Sequence, residues 1–251
     1  GSGHFGGRRL LMPLEIGKKA IDYLLEHSGL RKHCEIDFFG GEPLMNIDVV
    51  KELIAYGREQ GAKYGKEIKF TLTTNGVSLN EEIQDFFNRE NISIVLSLDG
   101  RPEVNDRVRK FSSGKGSYRT INSNIKRFVE SRHHQNYYVR GTYTGWNKDF
   151  FQDALHLVAE GYDIISLEPV VAVEEDYALT EKDLPALRAE YIKLARYYRK
   201  KKAEGRPFTF FHFNLDLHHG PCLPKRLTGC GAGHEYMAVT PEGDFYPCHQ
   251  F

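Results

Sequence analysis

The chain has 251 residues, 40% hydrophobic and 27% charged, and its 34 Lys+Arg balance 34 Asp+Glu for a net charge of +0. That is the composition of an ordinary globular protein with room for one large core, and the balance gives no general pull toward nucleic acid or anionic membrane. No apolar run approaches the roughly 20 residues of a membrane span and no signal-peptide pattern is present, so the cytosol is the expected compartment.

Helix-like and strand-like segments alternate from the start. Residues 14–26 have helical spacing through Ile16, Ala20, Tyr23 and Leu24, and 35–39 form a short strand pattern ending in Gly40-Gly41. Helices over 47–64 (Asn46 as cap) and 80–88 bracket a strand over 68–74 that ends in Asn75-Gly76. A nearly continuous apolar strand over 92–98 ends in Asp99-Gly100, followed by a polar loop over 102–116. Then come a helix over 118–131, a strand over 137–144, a helix over 149–160, a strand over 164–171 and a long helix over 181–203. Five strands, four of them followed closely by a helix, argue for an α/β barrel or a doubly wound sheet. Because a helix comes first, a strand preceding it is expected outside these residues. The basic run at 199–202 reads as a solvated helix end.

The texture changes near Gly205, where helical spacing stops and aromatics, histidines, glycines and cysteines crowd together. The expected boundary therefore separates residues 1–205 from 206–251. Residues 236–240 and 244–246 flank Pro241-Glu242-Gly243, which reads as a β-hairpin. Three of the four cysteines (Cys222, Cys230, Cys248) lie in the last thirty residues. In a chain with a large core, such clustering points to metal rather than disulfides. Cys34 opens a strand and reads as core.

In parallel α/β barrels the loops after each strand build the active site. Gly40-Gly41-Glu42-Pro43 offers a close backbone approach and a carboxylate suited to an ammonium group; alone, it is equally a plain turn. Thr73-Thr74-Asn75-Gly76 and Ser97-Leu98-Asp99-Gly100 bring short polar groups suited to ribose hydroxyls, and each alone is equally a common turn former. Three such ends on consecutive strands carry more weight than any one of them. Arg140, inside a strand pattern, can bind a carboxylate bidentately or pair with a barrel acid, and Arg109 in the polar loop is a second candidate cation.

Taken together, Gly-Gly-Glu-Pro, Thr-Thr-Asn-Gly, Ser-Leu-Asp-Gly and the Arg-bearing strand resemble the radical S-adenosylmethionine (SAM) superfamily. The resemblance implies a partial (β/α)6 barrel in which Gly40, Gly41 and Glu42 meet the SAM amino group. Ser97 and Asp99 lie near the ribose, Thr73 and Asn75 line the cleft, Arg140 takes the carboxylate with Arg109 nearby, and residues 165–170 approach the adenine. Cys230, twelve residues, Gly243, four residues and Cys248 fit the opening of the superfamily's SPASM or twitch extension, which holds auxiliary iron–sulfur clusters. Cys230 and Cys248 are then ligands, with Cys222 a candidate third. Zinc suits the same thiols, and buried free thiols are the remaining reading. His212, His218, His219, His234 and His249 read as supporting groups around the cysteines, since cysteine is the far commoner cluster ligand.

Within the superfamily the stretches at 3–7, 37–46 and 229–251 are most similar to SCIFF-peptide maturases, which form thioether bonds in ribosomally made peptides. That likeness implies a cysteine-containing precursor peptide as substrate, SAM and [4Fe–4S] clusters as cofactors, and flavodoxin or ferredoxin as electron donor. SAM cleaved to a 5′-deoxyadenosyl radical would begin the reaction, and a Cys-to-Cα thioether would end it. A formylglycine-generating sulfatase maturase and a non-catalytic SAM- or peptide-binding module are the alternatives. The Cys-x3-Cys-x2-Cys motif of the superfamily does not occur among these residues. The chain is therefore expected to be an interior segment of a longer protein.

Overall fold

In this computed structural model, residues 10–172, 175–214 and 231–249 are described. The element order is α1 (Leu14–His27), β1 (His33–Phe38), α2 (Ile47–Lys63), β2 (Glu67–Thr74), α3 (Glu81–Arg89), β3 (Ser93–Ser97), α4 (Pro102–Val108) and α5 (Tyr118–Ser131). There follow β4 (Tyr137–Tyr143), α6 (Phe150–Ala159), β5 (Ile164–Pro169), α7 (Leu184–Ala203), β6 (Thr209–Phe210), β7 (Ala238–Val239) and β8 (Phe245–Tyr246). Strands β1 to β6 form a six-stranded sheet in chain order, and the β1–β2, β3–β4, β4–β5 and β5–β6 pairings are parallel. Parallel strands need crossovers, and helices supply them, which is why the strand and helix periods alternate along the sequence.

Two differences from the sequence reading stand out. The loop expected over 102–116 contains the seven-residue helix α4, started by Pro102 in its first turn. It is too short and too polar to show a 3.6-residue apolar period. The sheet also has a sixth strand, β6, paired Ile164↔Thr209 and Ile165↔Phe210. Two residues are too few to reveal a strand period, so the sheet continues past the boundary expected near Gly205.

The chain divides into two compact units, one made of the described parts of Gly1–Leu72 and Leu215–Phe251, the other of those in Thr73–Asn214. In the first, Ile21, Leu25 and Leu53 form the buried centre, packed by Ile36, Phe38, Val49 and Ile68. Cys34 is a buried free thiol in β1. Strands β7 and β8 pair antiparallel around a turn closed by Gly243 N–H donating to the Thr240 carbonyl at 2.9 Å. Phe245 of this hairpin packs on Tyr23 of α1, ring centroids 4.7 Å apart.

In the second unit, strand alternation gives the β3–β6 sheet two unlike faces. One carries the register row Leu96, Val139, Ile165 and Phe210, all at most 1% exposed. Phe150 of α6 stacks on Tyr143 of the same face at 4.3 Å. Gly141 on this face admits no side chain, because a Cβ would stand 2.6 Å from the Leu98 carbonyl oxygen. The other face carries the row Ser97, Arg140 and Ser166, then Thr142 beside Glu168.

Candidate functional site

Gly40, Gly41 and Glu42 follow β1 in the first unit. Gly40 has φ 146, a conformation that L side chains rarely adopt, and a Cβ at Gly41 would meet nothing within 4 Å. The Glu42 carboxylate accepts the Leu44 N–H at 3.0 Å and caps the short 3-10 turn Pro43–Asn46. Phe39, just before the glycines, lies against the His249 ring at 4.8 Å. His249 is the neighbour of Cys248, a buried residue whose Sγ is 3.9 Å from His249 Nδ1. Cys222 and Cys230 lie outside the described residues. Among the described residues no group of three or more His, Cys, Asp and Glu side chains is arranged to hold a metal ion.

The remaining candidates lie in the second unit. Thr73 is the last residue but one of β2, and a tight turn follows it: Thr74 Oγ1 accepts the Gly76 N–H at 3.1 Å and Asn75 Oδ1 accepts the Val77 N–H at 2.9 Å. Asn124 of α5 clamps the turn by donating to the Gly76 and Val77 carbonyls.

Asp99 is 2% exposed and fully engaged. Arg109 donates to both of its oxygens, Nε to Oδ2 at 2.6 Å and the guanidinium to Oδ1 at 3.0 Å, and the Thr142 N–H donates to Oδ1 at 3.0 Å. The fork-to-fork pair ties the loop after α4 to the end of β3. Asn105, fully buried, and Asp106 complete the brace, Asp106 accepting the Tyr118 N–H at 2.7 Å. Asp99 and Arg109 thus spend their charges on each other, while Ser97 and Arg140 stand side by side on the open face.

Arg140 is exposed and makes no ion pair within 4.0 Å among the described residues. Beside it, Glu168 accepts the Ser166 hydroxyl at 2.6 Å through Oε1 and faces His212 Nε2 at 2.9 Å through Oε2. His212 Nδ1 in turn meets the Tyr191 hydroxyl at 2.9 Å, and that hydroxyl lies 3.3 Å from the Tyr143 hydroxyl. Burial pushes the Glu168 carboxyl up, but Ser166, His212 and the field of Arg140 outweigh it and hold the group below the ordinary carboxylate range. Burial raises the Tyr143 and Tyr191 hydroxyls, so both stay protonated as donors.

Glu168 and His212 were not singled out as site residues from sequence. Glu168 has the signal already applied to Glu42, a carboxylate at the end of a strand, and it lies within residues 165–170, which the resemblance assigns as a whole to the adenine side. His212 follows the two-residue strand β6; expected among the supporting groups around the cysteines, it faces Glu168. The donor set of the open face, the Ser97 hydroxyl beside an uncommitted guanidinium, fits a polar ligand with a carboxylate.

The radical SAM superfamily model matches residues 3–158, more than half of the chain. A cysteine-type anaerobic sulfatase-maturating enzyme of Clostridium novyi (strain NT) is 27% identical over 232 residues, 86% of this chain and 59% of that protein. The uncharacterized protein MJ0907 of Methanocaldococcus jannaschii is 25% identical over 187 residues, 74% of this chain and 63% of that protein. The chain therefore spans about six-tenths of the length of these curated relatives. Native anSMEcpe with bound AdoMet has the same fold, with a TM-score of 0.76 at 17% identity over 96% of this chain and 66% of that one. That protein has also been solved with AdoMet and the Cp18Cys peptide bound.

Proposed function

The chain belongs to the radical SAM superfamily, and from that premise we propose that it is the core of a peptide maturase that joins a cysteine sulfur to an α-carbon in a ribosomally made precursor. The observation that carries the binding half of this reading is the row Ser97, Arg140, Ser166, in which an exposed guanidinium without an ion pair is flanked by two hydroxyls. Arg140 takes the SAM carboxylate, and Ser97 reaches the ribose. Asp99 and Arg109 act through their mutual pair, fixing the strand end from which Ser97 projects. Thr73 and Asn75 line the cleft, while Gly40, Gly41 and Glu42 serve the amino group.

SAM bound at a reduced [4Fe–4S] cluster supplies the 5′-deoxyadenosyl radical in this family's chemistry. The cluster's three-cysteine motif is not among these residues. Forming the thioether removes a hydrogen atom from carbon, a proton from the thiol and one electron. The sulfur–carbon bond thus leaves the peptide two hydrogens lighter. In this reading Cys248, with Cys230 and Cys222, serves an auxiliary cluster that takes the electron, and flavodoxin or ferredoxin delivers the reducing electron. Like the rest, the cytosolic placement is part of the proposal; no helix among the described residues is long and apolar enough to cross a membrane.

A sulfatase-type maturase is the second reading, favoured by the Clostridium novyi relative. Anaerobic reconstitution of the full-length protein with SAM and a cysteine-containing precursor separates the outcomes. Thioether formation predicts 5′-deoxyadenosine together with a product two hydrogens lighter that no longer reacts with thiol reagents. A carbonyl-bearing product with sulfur lost selects the sulfatase-type reading. Absence of 5′-deoxyadenosine under reducing conditions leaves only a binding module.

A further inference from the structure

Arg140 and Glu168 are diagonal neighbours on the open face, since Arg140 pairs with Ser166 and Glu168 with Thr142. With parallel strands about 4.8 Å apart and a rise of about 3.3 Å per residue, such neighbours lie about 8 Å apart, within reach of two long side chains. Glu168 nevertheless makes its contacts elsewhere: Oε1 with the Ser166 hydroxyl at 2.6 Å and Oε2 with His212 Nε2 at 2.9 Å. No ion pair with Arg140 forms within 4.0 Å. We propose that His212 is a positioning residue that, with Ser166, holds the Glu168 carboxylate off Arg140 and so keeps the guanidinium available to a carboxylate-bearing ligand. The inference rests on the reading of Arg140 as the carboxylate-binding group.

The hydrogen-bond directions support it. The ionised Glu168 carboxylate can only accept, so His212 Nε2 carries a proton and donates it to Glu168, while Nδ1 lies 2.9 Å from the Tyr191 hydroxyl. Tyr143 stands behind Tyr191 and holds that hydroxyl in place. Ser166, 1% exposed, has no freedom to turn its hydroxyl to water. The groups facing the pair are thus Ser166 from β5, Arg140 from β4, Tyr191 from α7 and the rings of Phe210 and Phe211 that adjoin His212. Remove the Nε2 donor and one carboxylate oxygen loses its partner. The nearest cation able to replace it is Arg140. A guanidinium paired internally nine-tenths of the time binds an external carboxylate about tenfold more weakly.

The test is equilibrium binding of SAM and of decarboxylated SAM to the full-length, cluster-loaded protein under anaerobic conditions. For His212→Phe, the Kd for SAM is expected to rise about tenfold while that for decarboxylated SAM stays unchanged. His212→Gln, which keeps an N–H near the place of Nε2, stays near wild type. His212→Phe combined with Glu168→Gln recovers SAM affinity, because the competing charge is gone. Ser166→Ala gives the same selective loss in smaller measure and serves if His212→Phe does not fold. Equal weakening of both ligands, unchanged SAM affinity, or a double variant that fails to recover overturns the inference. Arg140→Ala separates the two levels. If it binds SAM like wild type, the reading of Arg140 fails. If it loses SAM while His212→Phe does not, only the role of His212 fails.

Discussion

The two faces of the β3–β6 sheet are built from the same few residues of the same strands, yet they differ completely in chemistry. On one face Leu96, Val139, Ile165 and Phe210 stand in a row with almost no exposure. One residue further along the same strands, the opposite face shows Ser97, Arg140 and Ser166. Because side chains alternate, a change of parity is enough to separate the part of a strand that folds the protein from the part that can meet a ligand. Substitutions on the two faces should therefore separate stability from binding.

The largest effect is expected on the packed face. Leu167 is fully buried on β5, so Leu167→Ala should remove about 2–5 kcal/mol of unfolding free energy. Denaturant unfolding reads the loss, and the affinity of the remaining folded protein for SAM should not change. Asp99→Ala should cost less, about 2 kcal/mol, by stranding the half-buried Thr142 N–H and releasing the partly exposed Arg109. Unlike Leu167→Ala, it should also weaken SAM binding, because Asp99 lies where packed strand gives way to open loop. If Asp99→Ala leaves affinity intact, the brace does not position Ser97, and the contrast between faces is sharper than drawn.

Much of this division was legible in the sequence. The helix over 118–131 is matched by α5, Tyr118–Ser131, because Ile121, Ile125 and Phe128 repeat at helical spacing and are all buried. The helix expected from Asn80 is present as well, its side chain accepting the Ile83 N–H at 3.0 Å. Asn46 also precedes a helix, but its amide donates to the Met12 carbonyl instead of capping, a long-range partner that no local pattern announces. The Asp99–Arg109 pair was hidden for the same reason: both residues were legible as polar groups, but only the fold brings their charges together. Glu168 and His212 lie 44 residues apart and meet only because β6 pairs beside β5.

A smaller effect is expected from acid. The folded-state Glu168 carboxyl titrates below its ordinary value of 4.5, so it favours the ionised, folded form. Its contribution is fully present above that value and fades as the pH falls below it. Wild type should therefore exceed Glu168→Gln in unfolding free energy near neutral pH, and the gap should narrow as the pH drops from about 5 to about 3. A gap that stays constant over that range would mean that the charge of Glu168 is not what Ser166 and His212 stabilise.

The smallest stability effect should come from the open face itself, and it is the most informative. Arg140 is exposed, and its guanidinium makes no hydrogen bond or ion pair among the described residues. Truncating it leaves no buried partner unsatisfied and opens no cavity, so Arg140→Ala should shift unfolding by no more than about 0.5 kcal/mol. Loss of the favourable field of Arg140 at Glu168 and of the packing of the arginine stem both cost a little, and the exposure of the side chain keeps each contribution small. SAM affinity should nevertheless fall by about tenfold or more, the loss of one charge-assisted contact to a carboxylate. A thermal midpoint that stays in place while binding collapses would assign Arg140 to the ligand rather than to the fold. A midpoint that drops together with affinity would mean that the guanidinium holds the sheet, and the open face would then be structural after all.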